Sequence, residues 1–242
     1  MKSVADSTHF NLEDQLFANK TGRGVSVAVI DSGVSPGHPH LGDIAGGVGI
    51  APDEDVDDFV DRLGHGTAVA AAIHEKAPDA PLYAVRVFER SLSASSTQLV
   101  RAIDWASDQG VRLINMSLGT DNPEREAMLG AAVDRAAESG ALVVAACEFD
   151  GQIWFPGSLP QVIGVMLDPG CPRDEMRLTT DSHGCPAFLA SGQPRPIPGV
   201  PPEANLQGIS FAVANVTGFL ARLLESNGDA RSVDDVLRLL TA

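Results

Sequence analysis

Five short apolar runs are spaced along the chain, and segments of helical character stand between most of them. GVSVAVID (24–31), PLYAVRVF (81–88), VRLINMSLG (111–119), ALVVAAC (141–147) and QVIGVML (161–167) read as strands. HGTAVAAAIHEKA (65–77) reads as a helix ended by Pro78, and SSTQLVRAIDWASDQG (95–110) as an amphipathic helix stopped by Gly110. PEREAMLGAAVDRAAESG (123–140) opens on Pro and Glu and closes on Gly, the polarity expected of a helix. SFAVANVTGFLARLLES (210–226) and SVDDVLRLLTA (232–242) complete the set. Apolar strands alternating with helices predict an α/β fold, a mostly parallel sheet covered on both faces. Neither repeats nor a low-complexity linker interrupt the pattern, so residues 1–242 are expected to form a single domain. Residues 168–207, rich in Pro and Gly, are expected to be an ordered surface loop.

The charge narrows the partners. A formal net charge of -15 argues against nucleic acid and against anionic membranes, which repel an acidic surface. The acidic stretch PDEDVDDFVD (52–61) lacks the regular ligand spacing and glycine of a calcium loop and reads as a solvated face. Nothing approaches the ~20 apolar residues of a membrane span. The opening MKSVADSTHFNLEDQ has no apolar core of a secretory leader. Cys147, Cys171 and Cys185 are sparse, odd in number and without CxxC spacing, which favours free thiols in a reducing cytosol. No cofactor or metal is expected.

Chemistry collects at three element ends. Asp31 closes the strand VAVID, His65 opens a helix between two glycines, and Ser210 opens another. Each has an ordinary structural explanation alone: a turn-forming Asp-Ser-Gly, a structural histidine, a helix cap. Together they are the nucleophile, base and orienter of acyl transfer. A serine at a helix start also has free backbone N–H groups and a positive dipole end beside it.

DSGVSPGHPHL, GHGTAVA and GISFAVA resemble, in that order, the three signature blocks of the subtilases, the subtilisin-like serine peptidases. VRLINMSLG is similar to that family's substrate-cleft strand, and ALVVAACEFDG followed by WFPGSLPQVIGV to the segment carrying its oxyanion-hole asparagine. The resemblance implies a three-layer αβα fold of the subtilisin type with a central, mostly parallel sheet. It makes Asp31 the orienter, His65 the general base and Ser210 the nucleophile. Ser117, Leu118 and Gly119 would line the cleft and pair with substrate backbone as an added strand. The first block begins so near the start that no prodomain is expected, leaving unassisted folding or a guarding partner chain or precursor peptide.

The pattern breaks at Glu148, which stands where the family has its oxyanion-hole asparagine. An ionised carboxylate cannot donate and repels the forming negative charge. Three readings stand: Glu148 kept neutral and donating, Gln152 swung in as a substitute, or a hole reduced to the backbone N–H of Ser210. Ile209, Phe211 and Ala214 replace a threonine, a methionine and a proline around the nucleophile. Cys147 replaces a glycine and is expected to add bulk near the pocket for the residue before the cut, a pocket shaped around Leu118, Phe149 and Trp154. Two functions follow: a cytoplasmic serine endopeptidase of narrow specificity, such as one maturing a precursor peptide, or an impaired pseudoprotease that binds peptides without cutting. Ligation or cyclisation would share the acyl-enzyme. In a working triad Ser210 Oγ should lie within hydrogen-bond reach of a His65 ring nitrogen, allowing for looser contacts in a substrate-free site.

Overall fold

The computed structural model of the chain describes residues 8–89 and 91–242. The leader-free reading of the opening stretch rests partly on residues 1–7, which lie outside them. The strands are β1 Thr8–Asn11, β2 Val27–Asp31, β3 Ile44–Ile50, β4 Asp55–Val56, β5 Leu82–Arg86, β6 Leu113–Met116, β7 Leu142–Phe149, β8 Gln152–Ile153, β9 Ile163–Leu167, β10 Glu175–Thr180 and β11 Pro186–Ala190. The helices are α1 His65–Lys76, α2 Ser96–Asp108, α3 Glu126–Ser139, α4 Ile209–Leu224 and α5 Val233–Thr241.

Successive side chains of a strand point to opposite faces, and the central strands use both. Val27 and Val29 of β2, Leu113 of β6 and Val144 of β7 join one core, with Val69 and Ile73 of α1, Phe219 and Leu220 of α4, and Val236 of α5. Ala28 and Ile30, Ile114, and Val143 and Ala145 join the other, with Leu99 and Ile103 of α2 and Leu129 and Val133 of α3. The result is a three-layer αβα sandwich. α4 is buried on almost all sides, from Phe211 to Leu224, as expected for a helix apolar all round.

The sheet order is β1-β10-β11-β9-β7-β6-β2-β5-β3-β4, with β8 on β7. Pairing is parallel from β11 through to β3 and antiparallel at the two edges. β5 and β6 flank β2 on opposite sides, so the chain reverses direction across β2. Such a switch point opens a crevice outside the carboxyl ends of the strands, and Asp31 is the last residue of β2.

Residues 168–207 are not loop throughout. β10 and β11 form an antiparallel hairpin there, joined to β9 through β11. β10 reads EMRLTT and is only partly buried, so its sequence lacks the continuous apolar run that marks the central strands. β3, IAGGVGI, was equally hidden by its glycines, which depress strand propensity.

Candidate active site

β2 delivers Asp31 to the crevice fully buried. Its Oδ1 accepts hydrogen bonds from the Ser32 N–H and from His65 Nδ1, both at 2.7 Å. Its Oδ2 is buried with no partner among the described residues. Bonding at Nδ1 fixes the ring and leaves Nε2 for chemistry. α1 can start this close to β2 because residue 66 is glycine: a Cβ there would sit 2.2 Å from the Gly33 carbonyl oxygen.

Burial lowers the His65 pKa, but the Asp31 hydrogen bond and charge, with the charge of Asp61, outweigh it and hold the imidazole above its ordinary value. Asp61 is itself a finding. It is 9% exposed and accepts five hydrogen bonds: from the Ser32 hydroxyl, the N–H groups of Leu63, Gly64 and Thr67, and the Thr67 hydroxyl. Although burial raises its pKa, these bonds lower it further and keep it ionised. The Ser32 hydroxyl in turn accepts from the Gly66 N–H at 2.8 Å. One carboxylate therefore ties the exit of β2 to the first turn of α1, where an anion is favoured.

The solvated-face reading of residues 52–61 fails at Asp61. Its burial is set by Ser32 and Thr67, which the run of acids does not reveal. Elsewhere in the stretch Asp55 pairs with Arg101, and Asp58 with Arg62 and Arg86.

Ser210 is the second residue of α4, after Gly208 (φ 153°) and with no side-chain cap on the helix start, so N-terminal N–H groups are left for a ligand. Phe211 brings this turn to His65, with ring centroids 5.6 Å apart. The Ser210 hydroxyl donates to the Ser117 carbonyl at 3.2 Å, and the Ser117 hydroxyl donates to the Ser210 carbonyl at 3.4 Å. Among the described residues no hydrogen bond joins Ser210 to His65. The expected contact is replaced by one to the cleft segment, because the serine rotamer points its Oγ at Ser117.

Ser117 is held from beneath by Asn115, fully buried, whose Nδ2 donates to Ser117 Oγ at 2.9 Å and whose Oδ1 accepts from Thr217 of α4 at 2.9 Å. Leu118 turns toward the α2–α3 core. Gly119 lies against Trp154 and Phe155, and Thr120 forms a bridge with Phe155.

Glu148 does not face this centre as a donor. The register of β7 on β9 shifts between Ala146 and Glu148, a bulge that re-aims the side chain. The half-buried Glu148 accepts from the Ser182 N–H at 3.2 Å. Gln152 does not swing inward either. Asp150 and Gly151 have φ of 51° and 72°, the two-residue turn that folds a hairpin, so Gln152 pairs back on Phe149 and is exposed. The Asp-Gly dipeptide was the available signal. Cys147 is 2% exposed, and its thiol sits over Gly164 and the Val165 carbonyl of β9. It packs between strands rather than adding bulk to the cleft, and burial pushes its pKa up to about 12. All three cysteines are free thiols.

Among the described residues no cluster of three or more His, Cys, Asp or Glu could hold a metal ion, and no helix is long and apolar enough to cross a membrane.

Residues 22–241 match the model of the subtilase family. The chain is 32% identical over 214 residues to subtilisin E of Bacillus subtilis (strain 168), covering 81% of this chain and 52% of that protein. It is 34% identical over 226 residues to subtilisin Savinase of Lederbergia lenta, covering 86% and 78%. Thus the chain spans about half the length of several relatives it matches. The crystal structure of a cold adapted subtilisin-like serine proteinase superposes with a TM-score of 0.70 at 25% identity, over 93% of this chain and 82% of that one. With the match running nearly from end to end of the chain, and the same fold in a solved relative, this chain belongs to the subtilase family.

Proposed function

We propose that the chain is a serine peptidase, with Asp31 as orienter, His65 as general base and Ser210 as nucleophile. The observation that carries this reading is the 2.7 Å bond from buried Asp31 to His65 Nδ1, beside the start of the helix that bears Ser210. Substrate backbone adds as a strand along Ser117–Gly119 and competes for the Ser117 carbonyl. That releases the Ser210 hydroxyl to rotate toward His65 Nε2.

Ser210 Oγ then attacks the peptide carbonyl carbon while its proton passes to Nε2. The imidazolium, stabilised by Asp31, returns that proton to the leaving amine as the C–N bond breaks. Water, deprotonated by the same nitrogen, then attacks the acyl carbon, the bond to Ser210 Oγ breaks, and the imidazolium returns the proton to that oxygen. The oxyanion is held by the Ser210 backbone N–H at the uncapped start of α4, the reduced-hole reading, since Glu148 accepts a bond elsewhere and Gln152 is exposed. A hole short of one donor is slow by about a hundred- to a thousandfold. Slow turnover suits a narrow, precursor-maturing role on a peptide or protein substrate in the cytoplasm.

Digestion of a proteome-derived peptide library tests the reading. Cleavage products confined to a few sequences, and lost in Ser210→Ala, support it. Identical digests from both proteins, or none from either, refute it; binding without cleavage would assign the pseudoprotease role instead.

A further inference from the structure

The floor of the cleft carries an inference about which substrates enter, and it rests on the peptidase reading above. β6 and β7 pair in parallel only as far as Met116 and Ala145. Beyond that point the segments Ser117–Thr120 and Ala146–Glu148 separate. A substrate laid along Ser117–Gly119 with its carbonyl at Ser210 must direct the side chain before the cut into the gap between them.

Residues 154–155 cross that gap. The Trp154 N–H donates to the Cys147 carbonyl at 3.0 Å on one side. On the other, Phe155 and Thr120 exchange two backbone bonds, at 2.8 and 2.9 Å. The indole is laid over Gly119: a Cβ added there would be 3.4 Å from Trp154 Cε3 and 2.5 Å from the Phe155 carbonyl oxygen. Cys147 faces β9, so the bulk in this gap is the indole. The backbone is pinned on both sides, which fixes the Cα–Cβ bond that launches the indole, and forcing a large group into packed space is costly.

We propose that Trp154 restricts the enzyme to polypeptides with a small side chain, glycine, alanine or serine, immediately before the cleaved bond. The test separates this from catalysis by measuring binding in the Ser210→Ala protein. Two acetylated pentapeptides differ only in ending with Ala or Phe, the residue that would precede the cut. The Ala peptide binds tighter by about tenfold or more, the scale on which pockets discriminate by size. Trp154→Gly erases or inverts that ratio, and Trp154→Phe, which keeps an aromatic ring, retains part of it.

Phe bound as tightly as Ala by the Trp154 protein, a ratio unmoved by Trp154→Gly, or no binding of either peptide overturns the proposal. The first of these needs no Trp154 variant, so a misfolded variant does not shield the claim. A fluorophosphonate reaction in the Ser210 protein reports separately on the peptidase reading.

Discussion

Asp31, with no exposed surface, holds the Nδ1 of His65 at 2.7 Å through one carboxylate oxygen. Burial opposes the imidazolium, and the acidic partners Asp31 and Asp61 overcome that opposition, so the His65 pKa lies above its ordinary value. Catalysis needs the neutral ring. On the acid side, kcat/KM is therefore expected to rise with pH through an inflection above the free-histidine value of about 6.5. Asp31→Asn moves the inflection down and lowers kcat by about ten-thousandfold, the scale of losing the orienter of a triad. A profile flat from pH 5 to 9 contradicts this. The stability contribution has the same sign: it is complete below the unfolded pKa and is lost as pH climbs through the folded one.

Asp61 is a positioning residue rather than a catalytic one. Asp61→Ala strands buried donors at Ser32 and Thr67, and each buried orphan costs about 1–3 kcal/mol. A fall in the thermal midpoint is expected together with a lower His65 inflection, because a negative charge near the ring has gone. Asp61→Glu, which restores the charge, should recover the inflection better than the midpoint. A variant that loses stability while its inflection stays put would reduce Asp61 to a purely structural group.

Glu148 is re-aimed by the bulge and accepts from the Ser182 N–H, so it gives the oxyanion no donor. Replacing it by Asn shortens the side chain, releases it from the Ser182 N–H and supplies an amide donor free to turn toward the oxyanion. The expected result near neutral pH is a rise in kcat of about ten- to a hundredfold, part of what one such donor is worth, with KM little changed. Steady-state kinetics decide the matter, and a collapse of turnover would give the carboxylate a positive role.

Lys76 lies at the end of α1, 2% exposed, with its Nζ donating to Asn215 of α4 at 2.6 Å. Burial, helped by the charges of Arg173 and Arg222 and opposed by Glu75 and Asp174, lowers its pKa to about 7. The unfolded chain keeps this proton to about pH 10.4. Between these values the unfolded state binds more protons, so stability should rise with pH. In Lys76→Met that rise between pH 7 and 9.5 should disappear from thermal melts. An unchanged slope would mean that Lys76 stays charged in the fold.

The central strands and the helices around them were legible because burial on both faces demands continuous apolar runs, as in VAVID and LVVAAC. The strand end placed Asp31 at the sheet's carboxyl edge, but its pairing with His65 was legible only through the three blocks together and their resemblance to the subtilase signatures. What escaped was set by neighbours distant in sequence. β10 pairs at a half-exposed edge and needs no apolar run. Asp61 is buried by Ser32 and Thr67, and the bulge before Glu148 depends on its register with β9. The bulk expected of Cys147 turns toward β9, and only the fold reveals that Trp154 is the large side chain beside Gly119.

The central claim is that the Ser210 hydroxyl becomes nucleophilic through His65. It is tested most directly by reacting the folded protein with a fluorophosphonate and locating the adduct by peptide mass. A single phosphonylated residue at Ser210, missing in Ser210→Ala and strongly slowed in His65→Ala, is the predicted result. Equal labelling of the wild type and Ser210→Ala, or no labelling at neutral to mildly alkaline pH, would contradict it.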